Sequence, residues 1–363
     1  MGVLANYLRW RGDLSFKKAP FTILDEMVCA GIAYFDISDV YTQGKTLGEL
    51  LDMQLKKGSI KSTSLDAKDV ATEFIVNVAL SNRFRSARVI DYEDHYNSDD
   101  DVQFAATTLK LDDGTIVVAF RGTDNSLAGW REDFMISFTK PKAQEMALKY
   151  LQRNLRWYKK IYVCGHSKGS NLALYAACFL SDKELARVKA VYLNDGPGLC
   201  EEVVSKDQVK RIDSITTVIV PEDSVVGRIF EPDLSKKIIV ESVNTGLYAH
   251  SIYSWKITDN ELVRAKDFSK ASTFIKNSLD KWLEGKDLEF RKEAVDKIFG
   301  IAKESGYERL SDFKEKGLSE LLTVFAKKLG SGISNINPKE LLLDQVENIK
   351  SKIVKPKAEE KQD

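Results

Sequence analysis

From about Leu4 to Leu80 the apolar residues recur at helical spacing, as in Phe21 to Phe35 and Val70 to Leu80, with a Gly/Ser/Thr cluster at Gly58 to Ser64 between them. This pattern predicts a helical entry segment. The period then changes to two: Ala87 to Tyr92, Gln103 to Leu111 and Thr115 to Phe120 read as strands, and Asp112-Asp113-Gly114 is a hairpin signal. An antiparallel meander is expected to open a sheet. Beyond it strand patterns at Lys160 to Cys164, Val188 to Leu193, Ile215 to Val220 and Lys236 to Val240 alternate with helical ones. The helical patterns run from Gln144 to Trp157, Ser170 to Phe179 and Glu201 to Arg211. Such alternation predicts a largely parallel sheet covered by helices.

After about Asp267 the pattern is amphipathic and lysine-rich, with glycine breaks, and the chain ends in the charged KPKAEEKQD. The expected organisation is therefore a helical segment over residues 1–85 packed on the core, an α/β core over 86–266, a helical region over 267–351 and a disordered tail over 352–363. In the helical region Ile275, Leu279, Trp282 and Leu283 fit one apolar face, read as docking onto the core.

Composition narrows the class. Of 363 residues, 43% are hydrophobic and 30% charged, the balance of an ordinary globular protein. Lysine plus arginine and aspartate plus glutamate both count 54, so no global charge draws the chain to nucleic acid or to an anionic membrane. The four cysteines are scattered without Cys-x-x-Cys spacing, as in a reduced protein. The start, MGVLANYLRWRGDLSF, has charges where a secretory signal has its apolar core, and no window reaches the length of a spanning helix. A cytoplasmic protein is expected, with membrane contact at most peripheral. No nucleotide-binding glycine fingerprint is present, and Asp99-Asp100-Asp101 lacks the ligand spacing of a calcium loop. The expectation is no cofactor, no metal and no nucleic-acid partner.

The chemistry concentrates in KIYVCGHSKGSNLALYAACFL, where an apolar strand runs into Gly165-His166-Ser167-Lys168-Gly169 and an alanine-rich helix follows. A G-x-S-x-G string between strand and helix is the nucleophile elbow, and the alternative is an ordinary glycine-rich turn. Its glycines are needed because side chains at Gly165 and Gly169 would collide with neighbouring backbone. A serine needs a base, and the chain has three histidines. His166 sits in the elbow and cannot fold back onto its neighbour, so it is expected to pack beside the sheet. His95 lies in a charged stretch. His250, downstream in GLYAHSIYSW, follows the last core strand, as the order Ser, Asp/Glu, His requires. The orienting acid should follow a strand between them. Asp223 in Pro221-Glu222-Asp223-Ser224 is favoured; Asp195, in a turn-like Asp-Gly-Pro-Gly, and Glu222 are the alternatives. The oxyanion donors are expected from the Lys168 N–H and from Thr123, where TIVVAF runs into Arg121-Gly122-Thr123-Asp124. Leu127, Trp130, Phe134, Met135, Ile136 and Phe138 form either a lid or acyl-chain wall, or ordinary core.

At these residues the chain resembles the class 3 lipases, whose pattern pairs an F-R-G-[ST] strand end with a G-H-S-x-G elbow. Here the matching segments are FRGTDNSLAGWREDF and VCGHSKGSNLALYAA. NYLRWRGDLSF and FTILDEMVCAGIAYFDI resemble an uncharacterised bacterial group related to those lipases. The resemblance implies an α/β-hydrolase fold with a mostly parallel sheet, an antiparallel edge meander and helical additions at both ends. It implies Ser167 as nucleophile, Thr123 at the oxyanion hole, Asp223 as acid and His250 as base. The chain departs from the pattern at Lys168, where leucine is usual, and at Ser170, where glycine is usual. The function expected is hydrolysis of a carboxylic ester, a lipid or other acyl ester, through an acyl-enzyme. The alternatives are a catalytically silent interaction module, or a thioesterase, acyltransferase or peptidase using the same triad.

Overall fold

The computed structural model describes residues 2–58, 60, 62–63, 68–97, 102–123, 135–137, 142–283, 289–290 and 292–293. Its amino-terminal part folds into helices α1 (Leu4–Arg11), α2 (Ile23–Ile32), α3 (Leu47–Lys56), α4 (Lys68–Leu80) and the short α5 (Asn82–Arg85). Local capping sets their starts. At α3 the Thr46 hydroxyl accepts from the Glu49 N–H at 3.2 Å while the Glu49 carboxylate accepts from the Thr46 N–H at 2.7 Å, which satisfies two otherwise orphaned donors. Helix α2 opens with the Thr22 N–H donating to Asp25 at 2.8 Å, and its residues from Leu24 to Ile32 are all buried, Asp25 and Glu26 included.

Among the described residues seven strands form one sheet in chain order: β1 (Arg88–Asn97), β2 (Val102–Lys110), β3 (Ile116–Phe120), β4 (Ile161–His166), β5 (Val188–Asn194), β6 (Thr216–Pro221) and β7 (Lys237–Val240). The first three are antiparallel and β3 through β7 are parallel. The β2–β3 hairpin turns at Gly114, whose φ of 87° suits glycine. Helices α6 (Lys142–Trp157), α7 (Lys168–Cys178), α8 (Asp182–Leu185) and α9 (Lys206–Ile212) connect the parallel strands. The helix expected from Glu201 begins only at Lys206, because Ser205 caps it by accepting from the Gln208 N–H at 3.3 Å.

A sheet that advances one strand at a time in one direction, through right-handed crossovers, lays all its crossover helices on one face. Val118, Phe120 and Val163 accordingly pack with Ala147 and Leu151 of α6 and Leu172 and Ala176 of α7. The alternate residues of the same strands, Val117, Ala119, Tyr162 and Cys164, point the other way and share a core with Leu4, Leu24, Met27, Val28 and Phe74. The helical entry segment is thus the second cover of a sheet apolar on both faces. These layers make an α/β-hydrolase fold: a mostly parallel sheet with an antiparallel edge and helices on both sides.

Beyond β7 come a two-stranded ribbon, β8 (Ile257–Thr258) and β9 (Glu261–Leu262), and helix α10 (Lys270–Leu283). The side chains of the expected apolar face of α10, those of Ile275, Leu279, Trp282 and Leu283, lie outside what is described, and the expected tail lies outside the described residues. Among the described residues no helix is long and apolar enough to cross a membrane.

Candidate active site

The parallel strands all end on one edge of the sheet, and the residues singled out by sequence gather there. At the end of β4 the chain reverses into α7 through Ser167, which has φ 58° and ψ −129°. A β-carbon makes that conformation costly, and it is held by its surroundings: the Ser167 N–H donates to Asn194 O at 3.0 Å, and Ser167 O accepts from the Ser170 N–H at 2.9 Å. The flanking glycines are steric necessities. A Cβ on Gly165 would stand 2.1 Å from Gly169 O, and one on Gly169 would stand 2.1 Å from Phe120 O. The turn leaves Lys168 as the first residue of α7, where its N–H has no intrahelical acceptor and the helix dipole favours negative charge. The Lys168 side chain is buried, its Nζ 3.4 Å from Gln103 Oε1. Thr123, also buried, follows Gly122 at the end of β3, and a Cβ on Gly122 would lie 3.1 Å from Ser167 Cβ. The oxyanion candidates and the candidate nucleophile therefore adjoin.

His250 ends a one-turn segment, Gly246–His250, after β7. Its Nδ1 lies 2.7 Å from Asp195 Oδ2, at the end of β5. A carboxylate only accepts, so Nδ1 carries the proton and Nε2 holds the lone pair. Asp195 adopts φ 42° and accepts twice more on Oδ1, from Ser224 Oγ at 2.5 Å and the Gly227 N–H at 3.1 Å. The His250 ring packs against His166 in a tilted arrangement, centroids 4.6 Å apart. Ser167 Oγ is buried with no hydrogen-bond partner among the described residues.

The favoured acid needs correction. Asp223 accepts from the Gly246 N–H at 3.3 Å and so anchors the start of the turn that carries His250. The alternative, Asp195, makes the ring contact, because β5 lies directly beside β4 in the sheet and its end is the nearer strand end to the elbow. Glu222 spends its main-chain N–H on Val240 O at 2.9 Å, joining β6 to β7. The Pro-Glu-Asp-Ser segment still enters the site, through Ser224. His95 is exposed on edge strand β1.

His166, expected merely to pack, instead uses both ring nitrogens: Nδ1 is 3.0 Å from the Tyr34 hydroxyl and Nε2 is 2.8 Å from His250 O. Burial, reinforced by the neighbouring His250 ring, holds its pKa well below the usual histidine range, so it is neutral. Sequence reasoning also missed Glu26 and Asn194. Asn194 Nδ2 donates to Glu26 Oε2 at 3.1 Å and to Gly165 O at 3.2 Å, beneath the elbow. Burial raises the Glu26 carboxyl to about 8. The only sequence signal was their place in a largely buried helix and at a strand end. Of the apolar stretch after Asp124, Leu127, Trp130, Phe134 and Phe138 lie outside the described residues, and Ile136 is buried.

No curated protein matches the sequence. Among solved structures, M37 lipase is similar with 17% identity and a TM-score of 0.34, over 57% of this chain and 69% of that one. The extracellular lipase LipA from Serratia marcescens is similar with 14% identity and a TM-score of 0.28, over 55% of this chain and 38% of that one. Residues 78–300 match the Mbeg1-like family, and the chain belongs to it.

Proposed function

We propose that this chain is a serine hydrolase acting on carboxylic esters with apolar acyl groups, with Ser167 as nucleophile, His250 as base and Asp195 as the carboxylate that orients it. The observation that carries the reading is the 2.7 Å hydrogen bond between Asp195 and His250, with the His250 ring packed against the residue before a strained serine. The class 3 lipase resemblance supplies the substrate class.

In this mechanism His250 Nε2 takes the Ser167 proton as Oγ bonds to the ester carbonyl carbon. The developing oxyanion is met by the Lys168 N–H and by Thr123. Asp195 holds the ring in the Nδ1–H tautomer and stabilises the imidazolium. That imidazolium protonates the departing alcohol as the acyl-serine forms. Water, deprotonated by His250, then attacks the acyl-serine, releasing the acid and restoring Ser167 O–H. Lone catalytic hydrogen bonds are often long before substrate arrives, which accommodates a Ser167 Oγ without a partner.

The same buried Oγ, without a hydrogen-bond partner among the described residues, favours a second reading, a catalytically silent hydrolase fold used for interaction. A fluorophosphonate probe separates the two. Labelling of the wild type that disappears in Ser167→Ala and falls at least about tenfold in His250→Ala supports the hydrolase, since an activated serine needs its base. A well-folded wild type that stays unlabelled leaves the silent module.

A further inference from the structure

We infer that His166 and Tyr34 are positioning residues that set the separation of nucleophile and base through the main chain of His250. The inference rests on the hydrolase reading above. Three hydrogen-bonded parts make the link. The Tyr34 hydroxyl, from just beyond α2, lies 3.0 Å from His166 Nδ1, and His166 Nε2 lies 2.8 Å from the carbonyl oxygen of His250. A carbonyl oxygen cannot donate, so Nε2 carries the proton. A neutral ring then has its lone pair on Nδ1, and the phenol donates to it. Both nitrogens are committed, which leaves the ring no capacity to exchange a proton with Ser167.

What the ring does instead follows from where it stands. His166 immediately precedes the nucleophile, and its other end grips the residue that supplies the base. One rigid side chain thus bridges Ser167 to the backbone of His250, while Asp195 fixes the opposite edge of the His250 ring. The tilted ring contact, 4.6 Å between centroids and 32° between planes, adds a third restraint. The base is held without any hydrogen bond from Ser167, whose Oγ has none among the described residues. Tyr34 ties this strut to the strand that carries the oxyanion residue: a Cβ on Gly122 would lie 2.1 Å from the Tyr34 hydroxyl and 2.6 Å from His166 O. The amino-terminal cover of the sheet therefore reaches the catalytic edge.

The test compares wild type with His166→Leu, His166→Gln and Tyr34→Phe, each confirmed folded by circular dichroism. Glutamine can still offer an N–H near the position of Nε2; leucine cannot. Three readouts are taken: the rate constant of fluorophosphonate labelling, kcat and KM on p-nitrophenyl butyrate, and the low-field proton resonance of the His250–Asp195 hydrogen bond, assigned by its loss in Asp195→Ala. Misplacing a base by about 1 Å costs on the order of 10²-fold, so His166→Leu should lose about 10- to 100-fold in labelling and kcat with KM within about twofold. Its low-field proton should broaden or vanish. His166→Gln should recover to within about fivefold of wild type and keep that proton, and Tyr34→Phe, which preserves volume, should fall between them. If His166→Leu fails to fold, Tyr34→Phe against His166→Gln carries the comparison. Wild-type rates and an unchanged low-field proton in His166→Leu or Tyr34→Phe, or a glutamine variant as impaired as leucine, would overturn the inference. An unlabelled wild type whose low-field proton still disappears in His166→Leu would sink the hydrolase reading and leave the strut standing.

Discussion

At the scale of single residues, two aspartates at neighbouring strand ends divide the work of holding one histidine. Asp195 meets the imidazole and Asp223 meets the main chain at Gly246. Substituting each by asparagine separates these roles. Asn at 195 presents an amide that can donate to Nδ1, which favours the wrong tautomer and takes the lone pair from Nε2; loss of about 10³- to 10⁴-fold in kcat/KM is expected on an activated ester. Asn at 223 keeps an oxygen to accept from Gly246, and a change within about fivefold is expected. Equal losses at both positions would reverse the assignment. This is also where sequence reasoning met its limit. Ser167 and His250 stand out in the sequence as candidates because an elbow string has a strict local context and only three histidines compete for the base. The carboxylate partner of His250 does not stand out, because both aspartates end a strand in a turn, and which one meets the ring depends on strand order and on a loop returning from β7. Asp195 moreover sat in an Asp-Gly-Pro-Gly that turn chemistry alone explained. The role of His166 is hidden in the sequence because its ring contacts lie 84 and 132 residues away along the chain.

Elements were easier to read than contacts, since strand and helix follow from local period, and the meander and the alternation after it stand where the pattern placed them. The amino-terminal helices show what period alone leaves out. Their junction is organised by Arg83 of α5, fully buried with Asp25 of α2. Its Nε and Nη2 each donate to Asp25 at 2.7 Å, and the remaining three N–H groups meet the carbonyls of Leu14, Ala19 and Pro20 at 2.9 to 3.1 Å. All five donors are satisfied, and the guanidinium also lies 3.8 Å above the Phe16 ring. Tyr7 donates to the same carboxylate at 2.7 Å, and burial together with the Asp25 charge pushes its phenol well above the usual range. Arg83→Met should cost about 3–5 kcal/mol, because it strands a buried carboxylate and three carbonyls. Arg153, which pairs with Asp91 and Glu93 but is 47% exposed, supplies the contrast: Arg153→Met should cost under about 1 kcal/mol. Urea unfolding of the two variants measures both, and comparable losses would show that the amino-terminal junction is not organised around this pair.

Across the whole molecule, the two covers of the sheet meet it on unequal terms. The crossover helices bury apolar residues and neutral amides such as Gln144 and Asn171, whereas the amino-terminal cover brings a carboxyl, Glu26, against the sheet below the elbow. There Oε2 accepts from Asn194, and Oε1 has no hydrogen-bond partner among the described residues. Burial is the dominant influence on this group; it outweighs the Asn194 hydrogen bond, and the nearby Asp25 charge pushes the same way, so the carboxyl titrates at about 8 instead of 4.5. Global stability must then depend on pH in a definite direction. Below about 4.5 both folded and unfolded chains hold the proton, and the group costs nothing. Between about 4.5 and 8 the folded chain keeps a proton that the unfolded chain has released, so each unit of rising pH removes about 1.4 kcal/mol, toward a ceiling on the order of 5 kcal/mol. Above that, the folded chain must ionise a carboxylate with one oxygen unpaired. Glu26→Gln places a permanently neutral group of the same shape there and should flatten this slope, leaving the variant more stable than wild type near pH 9 and no better near pH 5. Unfolding free energies from urea titrations across pH 5 to 9 decide the matter: parallel curves for wild type and variant would mean that Glu26 is ionised in the fold, and that the sheet's amino-terminal cover tolerates a charge beneath the elbow.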